Sequence, residues 1–305
     1  DENDPVFCIS DLLIHLAQEQ MAKNAKDVVE GEALNLIVGG RPLAGEEKDA
    51  VKANVLKLLD DKYGVEEEDF LSAELEIVPA GKARDMGFDR SMILGYGHDD
   101  RVCAYPSMMA VLDYEGTPDY TLCCIITDKE EIGSVGATGM ASHYLENTVA
   151  ELYACTADYC ELAVRRCLRN SRMLSSDVSA GYDPNFASAF EKKNSAFLGR
   201  GICFNKFTGS RGKSGSNDAN PEFMASLRKI MDDAGVAFQT AELGRVDLGG
   251  GGTIAYLCAK YGMNVIDSGI AVLSMHAPYE IISKVDLYEG YRCYCAFLKG
   301  AKPVD

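Results

Sequence analysis

A chain of 305 residues is long enough for one large domain, or a large and a small one, with ample apolar surface for a buried core. Its 47% hydrophobic and 25% charged residues are those of an ordinary globular protein, not of a disordered or fibrous one. A net charge of −17 repels phosphate backbones, so no nucleic acid is expected as a partner. No apolar run approaches the roughly 18 residues needed to cross a bilayer, so no membrane span is expected.

The eleven cysteines are scattered, odd in number and free of any CxxC pair. Most sit in apolar segments, where cysteine behaves as a small hydrophobe, and this usage suits a reducing, cytoplasmic setting. The opening DENDPVF lacks the basic and apolar regions of a signal peptide, and the first residue is Asp1 rather than Met. A truncated chain is the expectation.

In chain order, Pro5 to Glu19 places apolar residues at near-helical spacing after Ser10 or Asp11, either of which can act as an N-cap. NLIVGG at 35 to 40 predicts a short strand and a glycine turn. Glu46 to Tyr63 predicts an amphipathic helix closed by Gly64. The alternating ELEIV at 74 to 78 predicts a strand. From Asp99 onward the texture becomes alternating helices and buried strands. The spacing predicts a helix after Arg101, the strand YTLCCIIT at 120 to 127 and a helix around Ala141 to Ala154. It then predicts strands at 201 to 207, 236 to 242 and 264 to 270, with a helix over Pro221 to Ala234 capped by Asn220. A last helix is expected from Pro278 to Leu298. Such alternation points to an α/β fold, a sheet flanked by helices on both faces. In that class reactive side chains gather in loops at the carboxyl ends of strands.

Those loops are rich in carboxylates. Glu130 and Glu131 stand side by side in DKEEIGSVG, where neighbouring side chains diverge, so that one can bind a metal while the other faces a water. A solvated acidic turn is the ordinary reading of such a pair. Asp99 and Asp100 in GYGHDDRVCAY read equally as an N-cap, and Asp177 in LSSDVSAGYDPNF as a turn aspartate. His276 in SMHAPYE is either a loop filler or a metal ligand. Of the other three histidines, His143 reads as a surface residue and His98 as a support for its neighbours, and His15 lies far upstream. Together these carboxylates and one histidine suit two zinc-like ions sharing a bridging carboxylate. The glycine run DLGGGGTIA offers backbone N–H groups of Gly250 and Gly251 to a substrate oxygen, or makes a tight packing turn. Without a following Lys-Ser/Thr it is not a phosphate loop.

The ordered set HDDR, DKEEIGS, SSDV and SMHAPYE resembles family M18 of the metallopeptidases, the group of aspartyl aminopeptidase and yeast vacuolar aminopeptidase I, over nearly the whole chain. The resemblance implies a zinc exopeptidase-like fold with a mixed central sheet. Residues 1–78 would be part of an inserted dimerisation domain, and 79–305 the catalytic domain. It implies a metal-dependent aminopeptidase with two divalent ions, zinc with cobalt or manganese as alternatives, acting on the N-termini of peptides. Asp99 would bridge the metals and be joined to Asp100 through a cis peptide. Glu130 would be the general base, Glu131 and His276 would complete one site, and Asp177 would serve the other. Lys206 in FNKFTG matches a family lysine near the substrate, and His15 matches a segment that reaches a neighbouring subunit's pocket. The family builds large closed homo-oligomers from dimers.

Two departures are notable. The family's further histidine ligand, in an upstream HxDSP-like motif, has no counterpart here, and GYDPNF with Asp183 replaces a histidine-rich stretch. A deacylase of small amides on the same metal core and a non-catalytic assembly subunit or fragment are the alternative functions.

Overall fold

The computed structural model describes residues 3–210, 214–245, 247–251 and 253–302. Two compact units divide the chain, Asp1–Gly81 and Lys82–Asp305.

In the first unit β1 (Cys8–Ile9) pairs antiparallel with β2 (Leu36–Ile37). The helices are α1 (Gln18–Met21) and α2 (Ala50–Tyr63). Gly64, with φ 66°, closes α2 by returning its N–H to the Asp60 carbonyl, the left-handed cap that glycine adopts without a Cβ clash. The helix expected over Pro5 to Glu19 is a 3-10 turn at Ile14–Leu16 followed by α1. The physical reason is that the Asp11 carboxylate accepts the Leu12 N–H at 2.8 Å and the Gln20 amide at 3.3 Å, holding a turn instead of capping a helix. Residues 74–78 form no strand and lie exposed. Alternation predicts a strand only where a neighbour supplies the ladder.

The second unit contains β3 (Arg84–Met86), β4 (Met92–Gly95), α3 (His98–Leu112), α4 (Tyr144–Ala154), α5 (Glu161–Asn170), β5 (Arg172–Ser176), β6 (Ser179–Ala180), β7 (Ile202–Asn205), β8 (Phe207–Ser210), β9 (Ser214–Asp218), α6 (Pro221–Ala234), β10 (Phe238–Thr240), α7 (Ala255–Ala259), β11 (Asn264–Gly269), β12 (Ala271–Leu273), β13 (Glu280–Ser283) and α8 (Lys284–Gly300). A four-stranded mixed sheet runs β10-β7-β11-β5, and a five-stranded one β3-β4-β13-β12-β6. The fold is mixed α/β with sheets flanked by helices.

Alternation along β11 explains the layers. Ile266 joins Ile202 and Phe204 on one face, against Phe223, Leu227 and Met231 of α6 and Cys293 and Tyr294 of α8. Val265 faces the other way, onto Val164 and Leu168 of α5 and Ala255, Leu257 and Cys258 of α7. Each fully buried Leu, Ile or Phe contributes about 1.5–3 kcal/mol. Ile270, between β11 and β12, carries the chain from the first sheet into the second. There it packs with Val102 and Cys103 of α3 and with Val272 and Ile282. At this crossing a Cβ on Gly269 would stand 1.6 Å from the Asp177 carbonyl oxygen, so only glycine lets the two strand ends meet.

Two expectations fail in this unit. Residues 120–127 are irregular, with Tyr120 and Ile126 exposed, and among the described residues they pair with no strand. Pro278 does not open the closing helix. The strand β13 comes first, because Glu280 to Ser283 pair with β4 on one side, and Ile281 and Ile282 pair with β12 on the other. Among the described residues no helix is long and apolar enough to cross a membrane.

Candidate metal centre

The chemistry-bearing residues sit on three tight bends, each entered through a left-handed backbone. Gly97, φ 68°, precedes α3, whose Asp99 and Asp100 are non-helical and joined by a cis peptide, as the family resemblance implied. Lys129, φ 67°, precedes the 3-10 turn Glu130–Ile132. His276 has φ 64° and Ser274 φ 57° in the loop between β12 and β13. Asp177 lies just past the end of β5, beside β6. Left-handed backbone is sparsely populated by non-glycine residues and persists where the surroundings impose it.

These bends converge. His276 Nε2 lies 3.0 Å from Asp99 Oδ2 and 3.4 Å from Glu131 Oε1. Ligand atoms of Asp99, Glu131 and His276 fall within 4.8 Å of one another, and so do those of Asp99, Asp100 and Asp177. Asp99 belongs to both sets. Tetrahedral ligands about 2.0–2.2 Å from an ion stand roughly 3.4 Å apart, so the observed spacings fit one. The His276 and Glu131 side chains are 63% and 59% exposed and Asp99 only 10%, so the first set opens to solvent on the His276 side.

The electrostatics point the same way. Burial, with the Glu131 charge behind it, pushes the Asp99 carboxyl up to about 7, against the pull of His276. Burial raises Asp100 to about 8, with the Asp99 charge adding to it. Asp177 is driven well above the carboxylate range, first by burial and then by Asp100 and Glu130. Glu130 is raised by burial and by Glu131. Asp100 Oδ1 is buried with no hydrogen-bond partner among the described residues. A cation held among such clustered carboxylates would favour their charged forms. The oxygen-rich set with one imidazole suits a divalent metal.

The remaining residues predicted from sequence lie outside these sets. Lys206 is ion-paired with Asp218 at the end of β9. The Gly250 N–H donates to the Leu243 carbonyl at 2.8 Å, and the Gly251 carbonyl accepts the Gly209 N–H at 3.1 Å, so these groups are engaged within the loop fold. His15 is exposed in the 3-10 turn of the first unit. Asp183 accepts the Asn185 N–H and caps the turn Pro184–Ala189. His143 is exposed beside Glu146, and His98 is buried with its ring on the Ile93 carbonyl.

Sequence reading missed two buried carboxylates that lie beside these sets. Glu280, 2% exposed, accepts the backbone N–H of both Asp99 and His276. Asp267 on β11 is 3% exposed and faces the hydroxyls of Ser175, Thr208 and Thr253 without closing a hydrogen bond. The available signal was an acidic residue next to a pair of β-branched apolar residues, in EIIS and in NVIDSG.

The model of the aminopeptidase I zinc metalloprotease family (M18) matches residues 1–298. A probable M18 family aminopeptidase 1 from Clostridium acetobutylicum is 61% identical over 98% of this chain, and the chain spans 64% of that relative's length. The crystal structure of aminopeptidase I from Clostridium acetobutylicum superposes with a TM-score of 0.88 at 60% identity, over 98% of this chain and 64% of that one. The M18 aminopeptidase from Thermotoga maritima superposes with a TM-score of 0.91 at 44% identity, over 98% of this chain and 66% of that one. With a family model matched over nearly all of its length and a relative of this identity, the chain belongs to the M18 aminopeptidase family of zinc metallopeptidases.

Proposed function

We propose that this chain carries most of the active site of an aminopeptidase that removes the N-terminal residue of peptides with the aid of two divalent metal ions. The observation that carries this reading is the sharing of Asp99 between two ligand sets. Asp99, Glu131 and His276 would hold one ion, and Asp99 and Asp177 the other. Zinc is the family's named metal, with cobalt or manganese tolerated by the same donors. When bound, the ions supply Lewis acidity to the peptide carbonyl and acidity to water.

The chain's own residues do the rest. Glu130 stands next to Glu131 in the turn, half-buried, with a carboxyl raised above its ordinary range. It takes the proton of the attacking water and returns it to the leaving amine, work for which a base nearer neutrality is better matched. Lys206 would approach a substrate carboxylate by releasing Asp218, and the glycine-rich loop at Gly250 and Gly251 would border the substrate. His15 would act toward a neighbouring copy in a homo-oligomer, a reading supported by the exposed Leu13, Leu16 and Met21 in the first unit. Residues 1–78 would belong to the dimerisation domain. The eleven free thiols suit a reducing compartment such as the cytoplasm.

The test is Glu130→Gln. The variant should bind zinc as the parent does and lose turnover of a free-amino-terminal peptide by roughly 100- to 10,000-fold. Unchanged turnover in that variant sinks the assignment. Turnover of N-acyl amino acids instead of free-amino-terminal peptides would give the site to a deacylase.

A further inference from the structure

Glu280 opens β13, opposite Gly95 of β4 in the antiparallel register, and is almost fully buried. One of its carboxylate oxygens, Oε2, accepts the Asp99 N–H at 3.0 Å. The other, Oε1, accepts the His276 N–H at 2.9 Å. A single side chain thus ties together the main chain at two residues that face each other across the ligand set, from bends far apart in sequence. His276 holds a left-handed φ of 64°, and its amide direction follows from that backbone. The side chains leave these two fastened backbones and meet with 3.0 Å between Nε2 and Oδ2.

We propose that Glu280 is a positioning residue that sets the separation of Asp99 and His276 for metal binding, a role that rests on the metal-site reading above. It reaches no ligand side chain with its own oxygens and acts through two backbone amides. A carboxylate is the side chain that can do this, because both of its oxygens accept and neither donates. A glutamine in its place presents one acceptor and one NH2, so one amide meets a donor. An aspartate is one methylene too short to span both. Partners one step behind the ligands typically govern metal affinity by 10- to 100-fold.

The experiment is zinc titration of the metal-stripped full chain against a chromophoric chelator, with the cobalt(II) absorption spectrum as a second readout. Glu280→Gln is expected to weaken zinc binding about 10- to 100-fold and to alter the cobalt bands, while His276→Ala loses that site. Glu289→Gln supplies the structural control: its buried carboxylate accepts the Ala237 N–H at 2.7 Å and the Arg292 guanidinium at 2.8 Å, neither of them at a ligand residue. It should lower stability and leave zinc affinity unchanged. Parental zinc affinity and cobalt spectrum in Glu280→Gln, with binding lost in His276→Ala, overturn the positioning role and leave the metal site standing. Equal weakening by Glu280→Gln and Glu289→Gln also overturns it. Parental binding in His276→Ala removes the metal reading and this role with it. Hydrogen exchange on the unmutated, metal-stripped chain needs no variant to fold. The Asp99 and His276 amides should be protected together, and free exchange at either one overturns the proposal.

Discussion

Two sets of buried carboxylates occupy the second unit, and the fold treats them differently. Asp286, fully buried, accepts the N–H groups of Gly199 and Gly201 at 2.7 Å each. Glu289 accepts from Ala237 and from Arg292, and Glu280 from Asp99 and His276. In the other set Asp99, Asp100 and Asp177 crowd one another and Asp267 faces hydroxyls, and N–H groups are fewer, the Cys103 amide at Asp100 and the His276 ring at Asp99 among them. Burial alone does not distinguish structural from chemical acids. The supply of donors does: an acid whose oxygens are filled by N–H groups is part of the scaffold, and one left without them is available to a cation or a proton.

Replacing a member of the first set should give the largest effect. Asp286→Ala strands the buried Gly201 N–H and removes the partner of the part-buried Gly199 N–H, and is expected to cost about 3 to 4 kcal/mol in urea unfolding, with or without zinc. A loss under about 1 kcal/mol would break the comparison.

Asp267 should behave in the opposite way. Burial raises its carboxyl from 3.8 to about 6 in the folded chain. Between those values the folded state holds more protons than the unfolded one, so stability falls as pH rises through that window and stays low above it. The 2.2-unit rise, about 6 minus 3.8, corresponds to at most about 3 kcal/mol. Asp267→Asn should therefore stabilise the metal-free chain at pH 8 and converge with the parent near pH 4. A destabilised variant at pH 8 would show that the neighbouring hydroxyls already satisfy this acid.

The third expectation sharpens the line between the sets. Zinc at a hundred times its dissociation constant should add about 2.7 kcal/mol to the stability of the parent. Chelator should remove that gain, and Asp177→Asn should diminish it. Protons compete for the same oxygens: Asp99 titrates near 7 and Asp100 near 8 without metal, so the gain should shrink as pH falls below 7. A gain equal at pH 8 and pH 5.5 would place the zinc elsewhere.

Much of this unit was legible in the sequence where local chemistry agrees with the fold. The helix Pro221–Ala234 shows its proline start, its 3.6 period and its Gly235 cap. β11 shows through the short Val265–Ile266 pair set between the turn before it and the glycine after it. The strand expected at 120–127 has the composition and, among the described residues, lacks a partner, and a strand is a property of two segments. β13 hid behind Pro278, because its pairing with β4 joins residues from opposite ends of the unit. The candidate site was legible as motifs, since four short stretches carry its acids and its histidine. Glu280 was not, because its meaning lies in joining a nearby amide, that of His276, to the distant one of Asp99, which periodicity cannot reveal.

The wide sequence separation of Asp99, Glu131 and His276 has a kinetic consequence. Asp99 and His276 belong to bends that follow β4 and β12, and the strand β13 that joins those two pairs with residues distant in sequence at β4, a contact expected late in a folding search. The three side chains can meet only after β4, β12 and β13 have assembled. A cobalt(II) absorption signal during refolding should therefore lag the recovery of helical signal, so that the metal reports arrival at the native state rather than nucleating it.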